Sequence, residues 1–407
     1  MAPDLHHLNN CNAPANETCS NTFSFVLADR VRKNFTTYQL YFFGETGTWW
    51  EDPGTFRLLN VSAFKARVDV VMGDIADAGL LAAFGIGMHS MSFTVPLDSL
   101  TAIADYAAAR YGAHPIVWIT AQEVNAPNSN ATAWKVAAQH LSAGTGNGAP
   151  LSAHMWVFEN ETTHTEPFIY GNETWHNWFA TQGGHTGMGI RTNAHYAAYW
   201  NWRNPTSGLP IPFLESEAMY EGVICGPTFA HANDTRAAAW KSTLSGSLGF
   251  TYGAAALWLF KYDLNDTTGS AYNPNTWWYP NLALPGSTQV SLMSLSLGAT
   301  GLLASSWDTL TPLFASQQHS QFAQPEDTVL AMTNAGARVL YSFGNNRTLG
   351  ELRGLSAGVY DAQWLNAQTG EYSELPSVTL PPNATWTLPE RPDDGDSALF
   401  LVPHIPK

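Results

Sequence analysis

The chain of 407 residues is longer than most single domains, and its 45% hydrophobic residues are enough to build a sizeable core. Only 13% of the residues are charged and the formal net charge is −15, which excludes the basic surface that a nucleic-acid partner requires. No apolar run approaches the roughly 18 residues that cross a membrane, so we expect no membrane partner.

From about residue 20 to residue 305, segments with helical spacing of apolar residues alternate with short apolar or β-rich runs. Helices are predicted at residues 25–33, 64–78, 97–110, 134–141, 193–202 and 235–244. Strands are predicted at residues 37–43, 80–86, 115–123, 151–158, 177–181, 210–217 and within 249–260. Alternating strands and helices indicate a parallel sheet, and this number of units favours a closed (β/α)8 TIM barrel.

The pattern changes at a stretch rich in Pro, Ser and Gln, residues 302–325. Beyond it, short strands separated by Gly, Pro and Asn turns are predicted at residues 328–333, 337–343, 360–366, 377–380 and 397–402. Because no helical pattern is evident there, the region is typical of a small antiparallel β-sandwich. We therefore predict two domains, a barrel at residues 1–310 and a β-sandwich at residues 311–407.

Two glutamates each end a strand-like run: Glu123 ends residues 115–123, and Glu217 ends residues 210–217. In a (β/α)8 barrel the C-terminal ends of all strands open onto one face, where active sites lie. Two carboxyl groups on that face suit the cleavage of a glycosidic bond, which needs a proton donor and a nucleophile or base. Glu215 is the alternative to Glu217, because alternation along a strand places both on one face.

Sugars present apolar faces and a ring of hydroxyl groups, so their sites combine aromatic rings with hydrogen-bonding side chains. The chain has 16 tryptophans, and burial in the core is the alternative interpretation of each one. Glu45, Trp49 and Trp50 follow the strand predicted at residues 37–43, the second of the barrel, and the two tryptophans should line the barrel mouth. Other candidates for contact with substrate are Gln122 beside Glu123, His154 on a strand, Tyr220 and Glu221 after Glu217, and Trp258.

Sequons are more frequent than this composition predicts, since chance would give roughly four. They occur at Asn16, Asn34, Asn60, Asn130, Asn160, Asn172, Asn233, Asn265, Asn346 and Asn383. The excess predicts a glycosylated protein that is secreted to the extracellular space, from which a signal peptide has been removed. In such an oxidising compartment a disulfide between Cys11 and Cys19 is expected, which leaves Cys225 as a buried thiol.

Competing motifs are weak. The Gly-X-Ser-X-Gly pattern at residues 354–358 lies in the β-rich region with no helix after it, so a turn is predicted there. Gly85-Ile86-Gly87 lacks the third glycine of a dinucleotide-binding loop. Neither His-Glu-X-X-His nor paired cysteines occur, so we expect no metal and no other cofactor.

The chain resembles the apiosidase-like glycoside hydrolases at residues 110–123, 182–185, 215–221 and 250–253. Those enzymes are (β/α)8 barrels related to a large retaining clan, and they carry a C-terminal β-sandwich of the collagen-binding type. Residues 362–370 are similar to the Trp-X-Asn/Asp-Pro-X-Thr-Gly turn of that sandwich, with Ala367 in place of proline. The family's first strand, with an Asp-Thr-Ala-Trp signature, is not found. The barrel is therefore either completed by a preceding segment or closed differently.

The resemblance implies roles for individual residues. Glu123 matches the acid/base position, where the family often has Asp, and Glu217 matches the nucleophile of a Gly-Glu-Pro-X-Tyr-Glu motif. Gln182 and His185 match positions that contact substrate, and Tyr252 is expected, by analogy with the clan, to bind the nucleophile.

Together these features predict a monomeric, secreted, retaining glycoside hydrolase with an oligo- or polysaccharide substrate. The resemblance implies a plant or microbial cell-wall glycan with pentose or furanose units. One alternative is a catalytically inactive carbohydrate-binding protein on the same scaffold. Another is an adhesion protein that binds matrix through its β-sandwich.

Overall fold

A computed structural model describes residues 21–41, 46–146, 148–156, 169–183, 193–205, 207–225, 228–258, 260–267, 275–298, 301–313, 320–322, 328–344, 347–392 and 394–404. Several predictions lie outside these residues: the Cys11–Cys19 disulfide, the sequons at Asn16, Asn160 and Asn346, and the substrate contacts of Glu45 and His185. The side chain of Cys225 is also outside the description.

The N-terminal part is a barrel of parallel strands. Its strands are β1 Thr37–Tyr41, β2 Leu81–Gly85, β3 Ile116–Ile119, β4 Leu151–Ser152, β5 Phe179–Gln182 and β6 Phe213–Glu217. β1 to β4 pair in chain order, and β5 pairs with β6. A parallel bridge between His154 and Ala180 joins the two groups, and a bridge between Glu215 and Phe250 adds a seventh strand position.

Between β1 and the seventh position, side chains rather than paired backbones connect the barrel wall within the described ranges. The Gln39 amide donates to the Ser216 carbonyl at 3.1 Å. Its own oxygen accepts from the hydroxyls of Ser216 at 2.9 Å and Thr251 at 3.2 Å. The described residues thus supply seven of the eight strand positions of the predicted (β/α)8 class.

Helices cover the outside of the barrel: α1 Thr22–Arg32, α2 Val61–Ala63, α3 Asp69–Asp77, α4 Met91–Thr94, α5 Leu97–Tyr111, α6 Ala131–Gly144, α7 Asn193–Asn201, α8 Ala232–Leu244, α9 Ala255–Trp258, α10 Trp278–Leu282 and α11 Pro285–Leu297. A π-helical turn, Phe64–Val68, joins α2 to α3, and 3-10 turns span Thr46–Trp49 and Trp307–Thr309. No helix among these described segments is long and apolar enough to cross a membrane.

Local sequence explains where these helices begin and which face they bury. The Asn21 side chain accepts from the Ser24 amide at 2.7 Å and caps α1. Asn130 caps α6 in the same way, and that helix buries Trp134 and Leu141 at helical spacing.

Two segments differ from the sequence-based prediction. Helix α11 was not predicted, because alternating Ser and Leu near its end resemble a strand pattern. Residues 249–260 differ from prediction too, since Phe250 and Ala254 form only isolated bridges and the Ala-rich run after them forms α9.

The C-terminal part is the predicted antiparallel sandwich. Two short strands of the barrel part, β7 Ile224–Cys225 and β8 Thr228–Phe229, form a hairpin. The strands of the sandwich are β9 Thr311–Pro312, β10 Ser320–Phe322, β11 Thr328–Met332, β12 Arg338–Ser342, β13 Gly350–Leu355, β14 Gly358–Asn366, β15 Tyr372–Leu380, β16 Ala384–Thr387 and β17 Ser397–Pro403. One sheet has the order β15-β14-β17-β12-β11-β9 and the other β10-β13-β16. Leucines and Trp364 fill the space between them. The Gly-X-Ser-X-Gly pattern joins β13 to β14, with Gly354 at φ 68°, and so forms a turn.

The sandwich packs directly on α8 and α11 of the barrel. Trp240 of α8 stacks on Tyr341 of β12, with ring centroids 5.2 Å apart and planes 5° apart. Val290 and Met293 of α11 and Phe400 of β17 belong to the same apolar cluster. Because this core spans both parts, the boundary near residue 310 stays a prediction.

Candidate active site

A β-bulge on β6 sets the direction of Glu217. Thr181 of β5 pairs with Glu215, whereas the next residue, Gln182, pairs with Glu217, so Ser216 is an extra residue in the ladder. A bulge bends its strand and turns side chains away from simple alternation. As a result Glu215 faces Tyr196 of α7 outside the barrel wall, and Glu217 faces Gln122 at the end of the barrel. The expectation that both share one face is wrong.

Three polar side chains surround the Glu217 carboxyl group, which is 2% exposed. The Gln122 amide donates to its Oε2 at 3.0 Å, and His154 Nε2 lies 3.2 Å from the same atom. The Tyr220 hydroxyl is hydrogen bonded to the carboxyl as well. Burial and the charge of Glu217 raise the pKa of Tyr220 well above its ordinary value, so the phenol keeps its proton and donates it.

Glu123 lies just beyond β3 in an unusual backbone conformation. Its φ is 52°, in the left-handed region that residues other than glycine rarely adopt. The Gln182 amide donates to Glu123 Oε1 at 3.1 Å, and His89 Nδ1 lies 3.3 Å from Oε2. Burial lowers the pKa of His89, so this imidazole is neutral at physiological pH.

His154 connects the two glutamates. The Glu123 amide donates to Nδ1 at 3.4 Å, while Nε2 is 3.2 Å from the Glu217 carboxyl. Because Nδ1 accepts from this amide, Nε2 is the ring nitrogen that carries a hydrogen, and it lies beside the Glu217 carboxyl group. The ring is 0% exposed, so it cannot contact a sugar, and the predicted substrate contact of His154 is wrong.

A cavity of about 530 Å³ lies inside the barrel, and its wall runs from Thr37, Pro150 and Pro212 at the N-terminal ends of the strands to Gln122 and Tyr220, which bind Glu217. The indoles of Trp178 and Trp258 also line it, whereas Glu123 and Glu217 do not. Rings combined with hydrogen-bonding groups are what a sugar site needs. Among the described residues, no three His, Cys, Asp or Glu side chains cluster in a way that could hold a metal ion.

Two of the predicted substrate contacts, Trp49 and Trp50, lie away from the cavity. Trp49 and Trp50 are 4% and 2% exposed and pack on Phe64 and Phe56 in the barrel's outer core, so they do not line its mouth. Bulky indoles beside an apolar helix are more favourable buried than exposed.

Glu221 and Tyr252 bind each other. Glu221 Oε2 accepts from the Tyr252 hydroxyl at 2.6 Å and from the Gly286 amide at 2.9 Å. Tyr252 therefore does not bind the Glu217 carboxyl, and the prediction from the clan analogy is wrong on this point. Tyr220 occupies that role instead.

Two residues of the site were missed, Tyr41 and His89. Tyr41 is the last residue of β1, and its pKa is raised well above the ordinary value by burial, then by the charges of Glu217 and Glu123. His89 follows β2. The rule that identified the glutamates, a polar residue at the end of a barrel strand, would have found both.

Similar solved structures share this fold across most of the chain. A glycoside hydrolase is 17% identical with a TM-score of 0.74, over 94% of this chain and 88% of that one. A family 5 glycoside hydrolase from Bacteroides vulgatus ATCC 8482 is 16% identical with a TM-score of 0.73, over 95% and 86%. A bacterial fucosidase is 8% identical with a TM-score of 0.50, over 95% and 81%. At these identities the likeness establishes the fold, and it confirms the predicted TIM barrel and sandwich.

The model of the apiosidase-like catalytic domain matches residues 15–300. This match, on a barrel shared with glycoside hydrolases, defines a glycosidase that acts on glycans. The chain belongs to the apiosidase-like family, as its sequence motifs predict. No curated protein matches it.

The Tyr220→Phe variant is expected to lower kcat by about 10- to 100-fold with little change in KM. The phenol fixes the orientation of the Glu217 carboxyl, and small displacements of a reacting group are costly. Tyr252→Phe is the matched control, because its hydroxyl binds Glu221 instead. A larger loss in the control, measured by steady-state kinetics on the same glycan, would contradict this arrangement.

Glu215 predicts a pH dependence of stability. Burial raises its pKa from 4.5 to about 7, against the opposing effect of its hydrogen bonds. Between pH 4.5 and about pH 7, Glu215 keeps its proton in the folded state but has lost it in the unfolded state. The free energy of unfolding therefore falls as the pH rises through this range. Glu215→Gln removes this fall, a difference on the order of 3 kcal/mol. Denaturation curves from about pH 4 to pH 8 measure it, and parallel profiles for both proteins would contradict it.

Proposed function

We propose that this chain is a secreted retaining glycoside hydrolase in which Glu217 is the nucleophile and Glu123 the acid/base. The observation that carries the proposal is that the two glutamates approach each other at the C-terminal ends of β3 and β6. The backbone amide of Glu123 and the carboxyl group of Glu217 contact opposite nitrogens of His154, and both carboxyl groups act on the Tyr220 hydroxyl. The barrel brings together there two residues that are remote in sequence, and the two side chains that bind Glu217, those of Gln122 and Tyr220, line the cavity inside the barrel.

The surroundings of the two carboxyl groups differ in the way that these roles require. Hydrogen bonds from Gln122 and Tyr220 favour the ionised form of Glu217, which attacks the anomeric carbon. Glu123 Oε1 accepts from Gln182, so we assign the acidic proton to Oε2, which lies beside His89 Nδ1. That proton goes to the leaving oxygen. Glu123 then takes a proton from the water that hydrolyses the glycosyl-enzyme.

The proposed substrate is a plant or microbial cell-wall glycan with pentose or furanose units. A secreted enzyme would meet such glycans outside the cell, and accessible glycosylation sequons support secretion. Of the described sequon residues, Asn60 is half-buried and the exposed ones are Asn34, Asn130, Asn172, Asn233, Asn265 and Asn383. Enzymatic removal of N-glycans from protein secreted by a eukaryotic host should lower its apparent mass. An unchanged mass would contradict glycosylation.

The experiment for the mechanism combines a substrate screen with stereochemistry. Aryl pentosides and wall polysaccharides are incubated with the enzyme, and the first anomer released is identified by proton NMR. Retention, together with a 2-fluoro-glycosyl adduct on Glu217 found by mass spectrometry, is expected. An inverted first product would rule out the double displacement. Binding on a glycan array without any cleavage would favour the carbohydrate-binding alternative.

Glu123→Gln is expected to lower kcat on an unactivated glycan by about 10²- to 10⁴-fold, because no proton reaches the leaving oxygen. With a dinitrophenyl glycoside, whose leaving group needs no proton, glycosyl transfer to the enzyme should be nearly normal. Equal losses on both substrates would contradict the acid role.

A further inference from the structure

Glu215 is a fully buried carboxyl group that the proposed reaction does not use. Its Oε1 accepts from the Gly183 amide at 2.8 Å. Its Oε2 lies 3.0 Å from the Tyr196 hydroxyl and 3.2 Å from the Thr181 hydroxyl. The backbone amide of Glu217 is a further donor. All four partners are neutral.

These contacts reach both candidate catalytic residues through the backbone. Gly183 follows Gln182, whose side chain binds Glu123. The Gly183 amide also donates to the Glu217 carbonyl at 2.9 Å, next to the bulge. A Cβ at Gly183 would lie 3.2 Å from both Glu215 oxygens, so the carboxyl group is packed closely against this turn.

We propose that Glu215 is a positioning residue for the glycosidase reaction, one that fixes the bulge under Glu217 and the turn that carries Gln182. This inference rests on the proposed function. Glu215 contacts no substrate and acts through the amides of Gly183 and Glu217. Its loss allows the nucleophile and the partner of the acid/base to shift together, which reduces kcat more than substrate binding.

Because the four partners are neutral, the shape of the group matters more than its charge. A glutamine at position 215 retains an oxygen for the Gly183 amide and an NH₂ group for the hydroxyl of Tyr196 or Thr181. We therefore expect Glu215→Gln to stay within about threefold of wild-type kcat, as a conservative rescue. Leucine has a similar size and no acceptor, so it removes every contact.

The test compares Glu215→Leu with wild type on a cleaved glycan. A fall in kcat of about 10- to 100-fold with KM within about twofold is expected. Thr333→Val is the matched control, because Thr333 is equally buried in the sandwich and its hydroxyl accepts from the Ala337 amide at 3.2 Å. Wild-type kcat in Glu215→Leu, or a rise in KM alone, would overturn the inference.

If Glu215→Leu does not fold, the double variant Thr181→Val with Tyr196→Phe removes both hydroxyl partners and should lower kcat in the same way. Hydrogen exchange gives a readout that is independent of turnover. The amides of Gly183 and Glu217 should exchange at least about tenfold faster in whichever variant folds, and those of the sandwich should not change. Unchanged exchange would overturn the inference even if no glycan is cleaved, whereas an inactive wild type with faster exchange would refute only the proposed function.

Discussion

Glu217→Gln is expected to lower kcat by at least about 10⁴-fold, the largest effect on activity of any single change considered for this protein. An amide cannot attack the anomeric carbon, so no glycosyl-enzyme forms. Its oxygen still accepts hydrogen bonds from Gln122 and Tyr220, and the fold should therefore be preserved. Steady-state kinetics on the best glycan from the screen, with thermal unfolding of the same sample, measure both quantities.

A glutamate far from the site provides the control. Glu374 is exposed on β15 of the sandwich, and Glu374→Gln makes the same chemical change there. Its kcat should equal that of wild type. If Glu217→Gln retains turnover within about tenfold of wild type, the nucleophile is another residue. Glu215→Gln tests the remaining acid on β6, and its kcat should stay within about threefold of wild type, because the Glu215 carboxyl group binds the Gly183 amide and the Tyr196 hydroxyl and is not the nucleophile.

Asp396→Ala is expected to lower the free energy of unfolding by about 3–5 kcal/mol. Arg236 of α8 is 1% exposed, and its Nε donates to Asp396 Oδ2 at 2.7 Å, with a second contact from Nη2 to Oδ1. The Tyr341 hydroxyl donates to the same carboxyl group at 2.5 Å. Removing the carboxylate leaves a buried guanidinium without its counter-ion at the junction of barrel and sandwich, and desolvation is then uncompensated.

Chemical denaturation followed by tryptophan fluorescence measures this loss. The double variant Arg236→Met with Asp396→Leu removes both charges and should recover most of the stability. Asp361→Ala is the control, because Asp361 is exposed on β14 and its solvent-exposed pair with His404 contributes little. A loss below about 1 kcal/mol in Asp396→Ala would mean that solvent reaches the junction.

Deleting the sandwich should also destabilise the barrel, because the deletion exposes the apolar core around Trp240 that the two parts share.

Local pattern was sufficient for most elements. The helix predicted at residues 25–33 is α1, and the strand at 80–86 is β2, because apolar period and capping act over a few residues. Residues 285–297 show the limit: their Ser-Leu alternation imitates a strand, and only packing against α8 and the sandwich makes them helical. Whether Trp49 and Trp50 are buried or line the barrel mouth could not be decided from the sequence either, since composition gives no position relative to a core.

For this protein, sequence by itself determined the barrel, the sandwich, the family and the candidates Glu123 and Glu217, because strand ends in a parallel barrel meet on one face. Tertiary structure alone decided which groups surround them. The extra residue Ser216 in the β5–β6 ladder turns the side chains of Glu215 and Glu217 in different directions. Glu217 is bound by Tyr220, whereas Tyr252 binds Glu221. The first outcome depends on the register between β5 and β6, and the second on which carboxyl group the Tyr252 hydroxyl reaches from a distant part of the chain. No local periodicity records either of them.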